Sequence, residues 1–272
     1  LPNFTLSPKA EVTTDIEYCI KDKDLLIIAI PAAFIDSLAC AMKPYIKDNH
    51  ILIATKGIEQ ETGLFINEIL EKYLDTKNIA VMSGPSFAVD LITKMPEGLS
   101  LASKNEKTIK IVKAAFKSDY VKLRETDDVI GVEICGAIKN VIALASGMLE
   151  GLGANDSSTA MLLTEAIHDM KKIISVLHGD KKTVLSFAGV GDLLLTCTST
   201  KSRNYTYGKM IGENKSKHEL EDYVKNTTVE GLYTLKSIYK LLKDKKISIP
   251  IIDLIYDIAV EGDDPKKLLT FL

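Results

Sequence analysis

The chain has 272 residues, which exceeds the usual size of one domain and predicts two. Hydrophobic residues make up 46% of the chain and charged residues 26%, as in an ordinary soluble globular protein. The formal net charge is −3, from 34 basic and 37 acidic residues, so charge gives no reason to expect a nucleic acid or an anionic membrane as a partner.

Strand-like and helix-like segments alternate over the first half of the chain. Continuous apolar runs typical of strands buried on both faces occupy residues 25–30, 51–55 and 79–82, and further strand candidates occupy 98–103 and 120–124. Helical periodicity appears at residues 32–45, 64–73 and 109–117, and another helix is expected after residues 83–88. This alternation predicts a mostly parallel sheet covered by helices.

The pattern changes near residue 129, after which long helical segments replace the strands. They occupy residues 129–153, 160–178, 219–224, 231–243 and 251–260. The expected boundary gives one domain over residues 1–127 and an all-helical one over 128–272. Residues 201–217 are interpreted as a loop or irregular crossing, and the apolar helical half leaves room for a homodimer.

Cysteines, histidines and apolar runs give no sign of disulfides, metal sites or membrane spans. The four cysteines contain no Cys-x-x-Cys pair, so reduced thiols in the cytoplasm are expected. The four histidines lack metal-ligand spacing. The longest apolar run, residues 25–35, is too short to cross a bilayer and is broken by Pro31.

A single lysine stands inside the most apolar helical segment. Lys139 is the only charged residue between Glu133 and Glu150, and its neighbours at helical spacing are small. A buried charge needs a partner, and lysines are almost never fully buried without one. A functional lysine is therefore favoured over one whose stem is buried while its ammonium reaches water.

Polar residues follow two of the predicted strands, where ligands bind in parallel sheets. Lys56 follows the second strand and suits an anion or a carbonyl oxygen. Gly84, Pro85 and Ser86 follow the third, where backbone N–H groups and a hydroxyl before a helix also favour anions. Taken alone, this second group is as well explained by a turn with a helix cap.

A third polar group lies in the helical half. Gly189 and Gly191 precede Asp192, which could pair with Lys139 or merely cap a helix. Further on, Arg203 with its hydroxyl and amide neighbours would make a phosphate clamp. The glycine pair is not a dinucleotide-binding fingerprint, because no third glycine follows at the required spacing.

Six motifs in one order and spacing strongly resemble the soluble, bacterial-type NAD(P)-dependent glycerol-3-phosphate dehydrogenases. The resemblance runs from about residue 10 to the C-terminus and is far more specific than any one motif. The blocks are Lys-Gly at 56–57, Gly-Pro-Ser-Phe-Ala at 84–88, Gly-Ala-Ile-Lys-Asn-Val at 136–141, Gly-Val-Gly-Asp-Leu at 189–193 with Thr-Cys-Thr at 196–198, Ser-Arg-Asn at 202–204 and Val-Glu-Gly at 229–231.

The resemblance implies an α/β Rossmann-type N-terminal domain and an all-α, 6-phosphogluconate-dehydrogenase-like C-terminal domain, with the active site between them. It also implies interconversion of dihydroxyacetone phosphate and sn-glycerol 3-phosphate with NAD or NADP, supplying glycerol 3-phosphate for phospholipid synthesis. The implied roles are as follows: Lys139 as general acid and base, Lys56 holding the reacting oxygen, Asp192 orienting Lys139, Ser202, Arg203 and Asn204 at the substrate phosphate, Gly84 and Ser86 lining the substrate site, and Lys56, Ala88, Arg203 and Glu230 contacting the cofactor.

The sequence departs from the family at its start. Family members begin with a strand and a Gly-x-Gly-x-x-Gly loop that binds the cofactor pyrophosphate, whereas the first glycine here is Gly57. Roughly fifty residues are therefore expected to be missing, including this loop and the first βα unit of the Rossmann-type domain. Either this is a truncated record of a complete dehydrogenase, or it is a short, non-catalytic relative that binds a phosphorylated metabolite or a partner. A 3-hydroxyacid or phosphogluconate dehydrogenase fits the Ser-Arg-Asn block less well, and a helical scaffold explains none of the motifs.

Overall fold

The computed structural model describes residues 4–59 and 62–272. Over these residues the apolar runs of the first half form one five-stranded sheet. Every residue of its second strand is buried, as the continuous apolar run predicts. The same prediction is wrong for the first strand, which lies at the edge of the sheet and leaves Ile27 52% exposed. The strands are β1 (Leu25–Ile28), β2 (His50–Ile53), β3 (Ile79–Ser83), β4 (Glu97–Ala102) and β5 (Val121–Thr126).

The strands lie in the sheet in the order of the chain, β1-β2-β3-β4-β5. The pairs β1–β2, β2–β3 and β4–β5 are parallel, which confirms the predicted mostly parallel sheet. The pair β3–β4 is antiparallel. The helix expected between these two strands is only four residues long, Ala88–Leu91, too short to return the chain along the sheet as a parallel crossover requires.

The other regular elements are α-helices, two short 3₁₀ turns at Ala32–Phe34 and Lys181–Leu185, and a π turn at Phe187–Gly191. The α-helices are α1 (Ile16–Ile20), α2 (Ile35–Met42), α3 (Ile66–Leu74), α4 (Ala88–Leu91), α5 (Glu106–Ala115), α6 (Val129–Gly151), α7 (Asp156–Val176), α8 (Asp192–Cys197), α9 (Arg203–Gly212), α10 (Lys217–Asn226), α11 (Glu230–Asp244), α12 (Pro250–Ala259) and α13 (Lys267–Phe271).

The prediction of a loop or irregular crossing over residues 201–217 is wrong, because α9 occupies most of it. Helix α9 buries Tyr207 and Ile211, but Asn204, Gly208 and Gly212 fill the rest of its buried face. A face of this composition shows no apolar stripe, which is the signal that sequence analysis reads. The helix begins after Ser202, whose side chain accepts a hydrogen bond from the Tyr205 backbone N–H.

Helix α6 is the central element of the protein. It starts after Asp128, whose side chain caps the Gly131 N–H, and it packs against α7, α8, α9 and α11 as well as against β3. By length and composition it could cross a membrane, but 89% of its most apolar window is buried inside the protein. It is therefore the core helix of this fold, which explains why it is apolar on every side.

Candidate active site

Helix α6 crosses the ends of β2 and β3, and this crossing brings the two predicted site lysines, Lys56 and Lys139, together. Lys56 follows β2, and Ser83 is the last residue of β3. Gly136 faces both of them: a Cβ atom there would lie 3.0 Å from Ser83 Oγ and 3.5 Å from Lys56 Cγ. The glycine therefore lets α6 approach the strand ends and places Lys139, one turn further on, beside them.

Asp192 lies at the centre of this cluster. Its Oδ2 atom is 3.0 Å from Lys56 Nζ and accepts a hydrogen bond of 3.4 Å from Ser83 Oγ, while its Oδ1 atom forms an ion pair with Lys139. Asp192 is 1% exposed and Lys139 6% exposed. The structure thus brings Lys56, Lys139 and Asp192 into one buried network, with Asp192 as the first residue of α8 and Gly191, not Asp192, at the N-cap.

Two hydroxyl groups complete the network and were not singled out from the sequence. Thr196 Oγ1 accepts a hydrogen bond of 3.1 Å from Lys139 Nζ and lies 3.3 Å from Asp192 Oδ1. Ser83 is the second. A usable signal existed for Thr196, because it stands four residues after Asp192 on one helix and so shares its face.

The surroundings of Lys139 lower its pKa to about 7. Burial is the main cause, because the low-dielectric interior disfavours the ammonium, and the positive charge of Lys56 adds to it. Asp192 opposes this shift but does not cancel it. A lysine with this pKa can give or take a proton near neutral pH.

The three residues of the predicted phosphate clamp form the start of α9. Ser202 is buried and caps the helix, and Asn204 Oδ1 accepts a hydrogen bond of 2.8 Å from the Gly231 N–H. The amide nitrogen of Asn204, a donor, is the part of that side chain suited to an anion. Arg203 is exposed, and its guanidinium has no ion-pair partner in the described part of the chain.

The loop after β3 lies next to this region. A Cβ atom on Gly191 would be 3.5 Å from the Pro85 ring, which places the loop containing Gly84 and Ser86 against the residue before Asp192. Lys201 Nζ is 2.7 Å from the Asp90 carboxylate of α4. This ion pair connects the segment just before α9 to the helix that begins at Ala88.

A cavity of about 380 Å³ opens beside Lys56. Its lining is mostly apolar or aromatic, and the charged residues in it are Lys56, Glu59 and Glu230, a combination that fits a flat ring with polar edges. Ala88, predicted to contact the cofactor, is exposed and does not line this cavity. The lining includes Pro31, Ala32, Phe34, Ile58, Thr228, Tyr233 and Thr234.

Comparisons with known proteins agree over nearly the whole chain. The family description "NAD-dependent glycerol-3-phosphate dehydrogenase N-terminus" matches residues 1–109, and the corresponding C-terminus description matches residues 128–270. Glycerol-3-phosphate dehydrogenase [NAD(P)+] of Staphylococcus haemolyticus is 35% identical over 277 residues, which cover 98% of this chain and 81% of the relative. The same enzyme of Agathobacter rectalis is 35% identical, with 100% and 81% covered.

Solved structures give the same answer for the fold. Glycerol-3-phosphate dehydrogenase from Coxiella burnetii superposes with a TM-score of 0.94 at 30% identity and covers 100% of this chain and 83% of that one. The yeast enzyme superposes with a TM-score of 0.87 at 24% identity over 99% and 81%. These likenesses confirm the Rossmann-type sheet followed by a helical half. The chain belongs to the NAD-dependent glycerol-3-phosphate dehydrogenase family.

Proposed function

We propose that this protein interconverts dihydroxyacetone phosphate and sn-glycerol 3-phosphate with NAD or NADP, using Lys139 as general acid and base. The observation that carries the proposal is the buried cluster in which Asp192 holds both Lys139 and Lys56. The names of the relatives favour this activity over the alternative of a non-catalytic binder.

The proton transfer follows from the geometry of the cluster. In the reductive direction the Lys139 ammonium donates a proton to the substrate carbonyl oxygen, and in the reverse direction the neutral amine takes the hydroxyl proton. Asp192 and Thr196 orient the Lys139 amine. Lys56 contributes a second positive charge where an alkoxide develops, which stabilises the transition state.

In this proposal Lys56 contacts both the substrate and the cofactor. Arg203 and the amide nitrogen of Asn204 bind the substrate phosphate at the N-terminus of α9, where the helix dipole also favours an anion, with Ser202 beside them. Gly84 and Ser86 line the substrate site, while Ala88 and Arg203 contact the cofactor from that side.

The cavity beside Lys56 and Glu230 is the proposed nicotinamide site, because its apolar walls and polar edges match a flat amide-bearing ring. When bound, the cofactor supplies the hydride chemistry, and the chain supplies position and charge.

Three further assignments belong to the proposal. Residues 1–127 form the cofactor domain and residues 128–272 the substrate domain. All four cysteines are free thiols, which supports a cytoplasmic location. A homodimer and the absence of a nucleic-acid partner are expected, the latter because the net charge is −3. Size-exclusion chromatography with light scattering tests the dimer.

The experiment that tests the proposal is replacement of Lys139 by alanine. We expect Lys139→Ala to abolish dihydroxyacetone phosphate-dependent oxidation of NADH and NADPH while keeping a wild-type circular dichroism spectrum. Lys209→Ala is the matched control. Lys209 lies towards the C-terminal end of α9 and forms a surface ion pair with Glu150 of α6. Near-normal turnover in Lys139→Ala would refute the mechanism.

A further inference from the structure

A second ionisable side chain of α6, Glu133, is buried close to the catalytic cluster and has no role in the reaction proposed above. It is 6% exposed. Its Oε1 atom accepts a hydrogen bond of 3.1 Å from the Asn67 backbone N–H in the first turn of α3. Its Oε2 atom has no hydrogen-bond partner among the described residues. A buried oxygen in this position needs a partner, because leaving it unpaired costs free energy.

A small cavity lies beside Glu133 and the buried network of Lys56, Lys139 and Asp192. Its volume is about 10 Å³, and Lys56, Ser83, Glu133 and Gly136 are among its walls. A single water molecule requires roughly 10–15 Å³ and two to four polar partners. The cavity is therefore of the size of one water, and residues with polar side chains are among those that line it.

Gly136 keeps this space open. A Cβ atom at this position would lie 3.0 Å from Ser83 Oγ, closer than nearly all real contacts of a Cβ atom. In a helix interior glycine is less favourable than alanine by about 1 kcal/mol, so a packing reason is needed for its presence in α6. Room between α6 and the strand ends is such a reason.

The surroundings of Glu133 favour the protonated form of its carboxyl group at neutral pH. Burial raises its pKa to about 8, and the negative charges of Glu68 and Glu71 on α3 act in the same direction. The backbone N–H groups of Ile66 and Asn67 oppose the shift without cancelling it. With Oε1 accepting from Asn67, the proton belongs on Oε2, which makes that atom a hydrogen-bond donor.

We propose that the cavity binds one water molecule and that the unpartnered Oε2 of Glu133 holds it, which makes Glu133 a positioning residue for the Asp192 cluster. Glu133 Oε2–H donates to the water, the water donates to Ser83 Oγ, and Ser83 Oγ donates to Asp192 Oδ2. This chain fixes the Asp192 oxygen that pairs with Lys56. A neutral Glu133 adds no second negative charge to the cluster, so Asp192 alone pairs with Lys56 and Lys139.

The first test is structural and independent of activity. Crystals of the purified protein diffracting to high resolution should show one water within hydrogen-bond distance of Glu133 Oε2 and Ser83 Oγ, and Gly136→Ala should expel it. Infrared difference spectra of Glu133→Gln against wild type at pH 7 should show the loss of a protonated carboxyl C=O band. The same substitution at the exposed Glu150 of α6 should remove an ionised carboxylate band instead. An empty wild-type cavity, or an ionised Glu133, overturns the proposal.

The second test is kinetic and rests on the proposed function. Glu133→Gln keeps a neutral group that can donate to the water, so we expect kcat/KM for dihydroxyacetone phosphate within about threefold of wild type. Glu133→Leu removes the donor to the water and should lower kcat/KM about tenfold, the usual size of one lost hydrogen bond. Equal loss in the Gln and Leu variants overturns the positioning role. If wild type shows the water and the acid band but no dehydrogenase activity, the water site stands and the proposed function fails.

Discussion

Lys139 can serve in both directions of a reversible reaction only if its protonation state changes near the working pH. Burial and the neighbouring Lys56 charge lower its pKa to about 7, so the ammonium form dominates below that value and the amine above it. We expect kcat/KM for dihydroxyacetone phosphate reduction to fall as pH rises through about 7, and kcat/KM for glycerol 3-phosphate oxidation to rise over the same interval. Initial rates measured between about pH 6 and pH 9 check both signs.

The control for this pH dependence is a variant of Asp192, whose carboxylate opposes the lowering of the Lys139 pKa. Asp192→Asn removes the negative charge that raises the pKa of Lys139, so the break in the reductive profile should move to lower pH. A break that stays in place in this variant would mean that another group titrates.

Arg203 offers a second prediction at the same scale. Its exposed guanidinium stands at the first position of α9, so its loss should affect binding of the substrate phosphate more than the proton transfer. We expect Arg203→Ala to raise KM for dihydroxyacetone phosphate about 10- to 100-fold, the usual effect of losing one charge-assisted hydrogen bond, with a smaller change in kcat. Lys209→Ala on the same helix is the control, and a fall in kcat with an unchanged KM would contradict the assignment.

Individual site residues were readable from the sequence when their surroundings were unusual. Lys139 stood out as one charge in an apolar helix, and the strand-end rule pointed to Lys56. Ser83, Thr196 and Glu133 were not singled out. For Ser83 the reason is that nothing in a linear sequence shows that residues 83 and 192 meet across the fold. Their roles depend on how α6 crosses the strand ends, which is a property of packing.

At the scale of elements, the contact between α6 and α9 depends on glycines. A Cβ atom on Gly147 would lie 2.0 Å from the Tyr205 carbonyl oxygen, and one on Gly208 would lie 2.0 Å from the Leu144 carbonyl oxygen. The two helix backbones therefore touch directly. On α9 itself, Gly208 and Gly212 interrupt the apolar stripe, which is why sequence periodicity predicted the strands and the long helices but missed this helix.

This close approach predicts a specific loss of stability. In Gly147→Ala, overpacking against the α9 backbone costs about 3 kcal/mol and the better helix propensity of alanine returns about 1, so unfolding should be easier by about 2 kcal/mol. Urea unfolding followed by circular dichroism measures it. Gly191→Ala is the control, since its nearest contact would be 3.5 Å, and its free energy of unfolding should change by less than about 1 kcal/mol. Equal losses in both variants would contradict the packing argument.

At the scale of the whole molecule, one hydrophobic cluster joins the sheet to the helical half. Ile51 and Val81 of the sheet, Ile138 of α6 and Ile174 of α7 belong to the same set of packed, buried side chains. The change of pattern near residue 129 predicted two halves, but it gave no measure of how strongly α6 couples them. That coupling comes from side chains whose partners lie far away along the chain.

A shared core should make the two halves unfold together. In hydrogen exchange at increasing urea, we expect peptides from β2 and β3 and peptides from α6 and α7 to reach one common opening free energy with one common urea dependence. Ile138→Ala creates a cavity in this core and should lower both opening free energies equally, by about 2–5 kcal/mol. Leu185→Ala, at a 71% exposed position, is the control and should lower neither. If Ile138→Ala destabilised only the helical peptides, each half would have a core of its own, and α6 would belong to the second half alone.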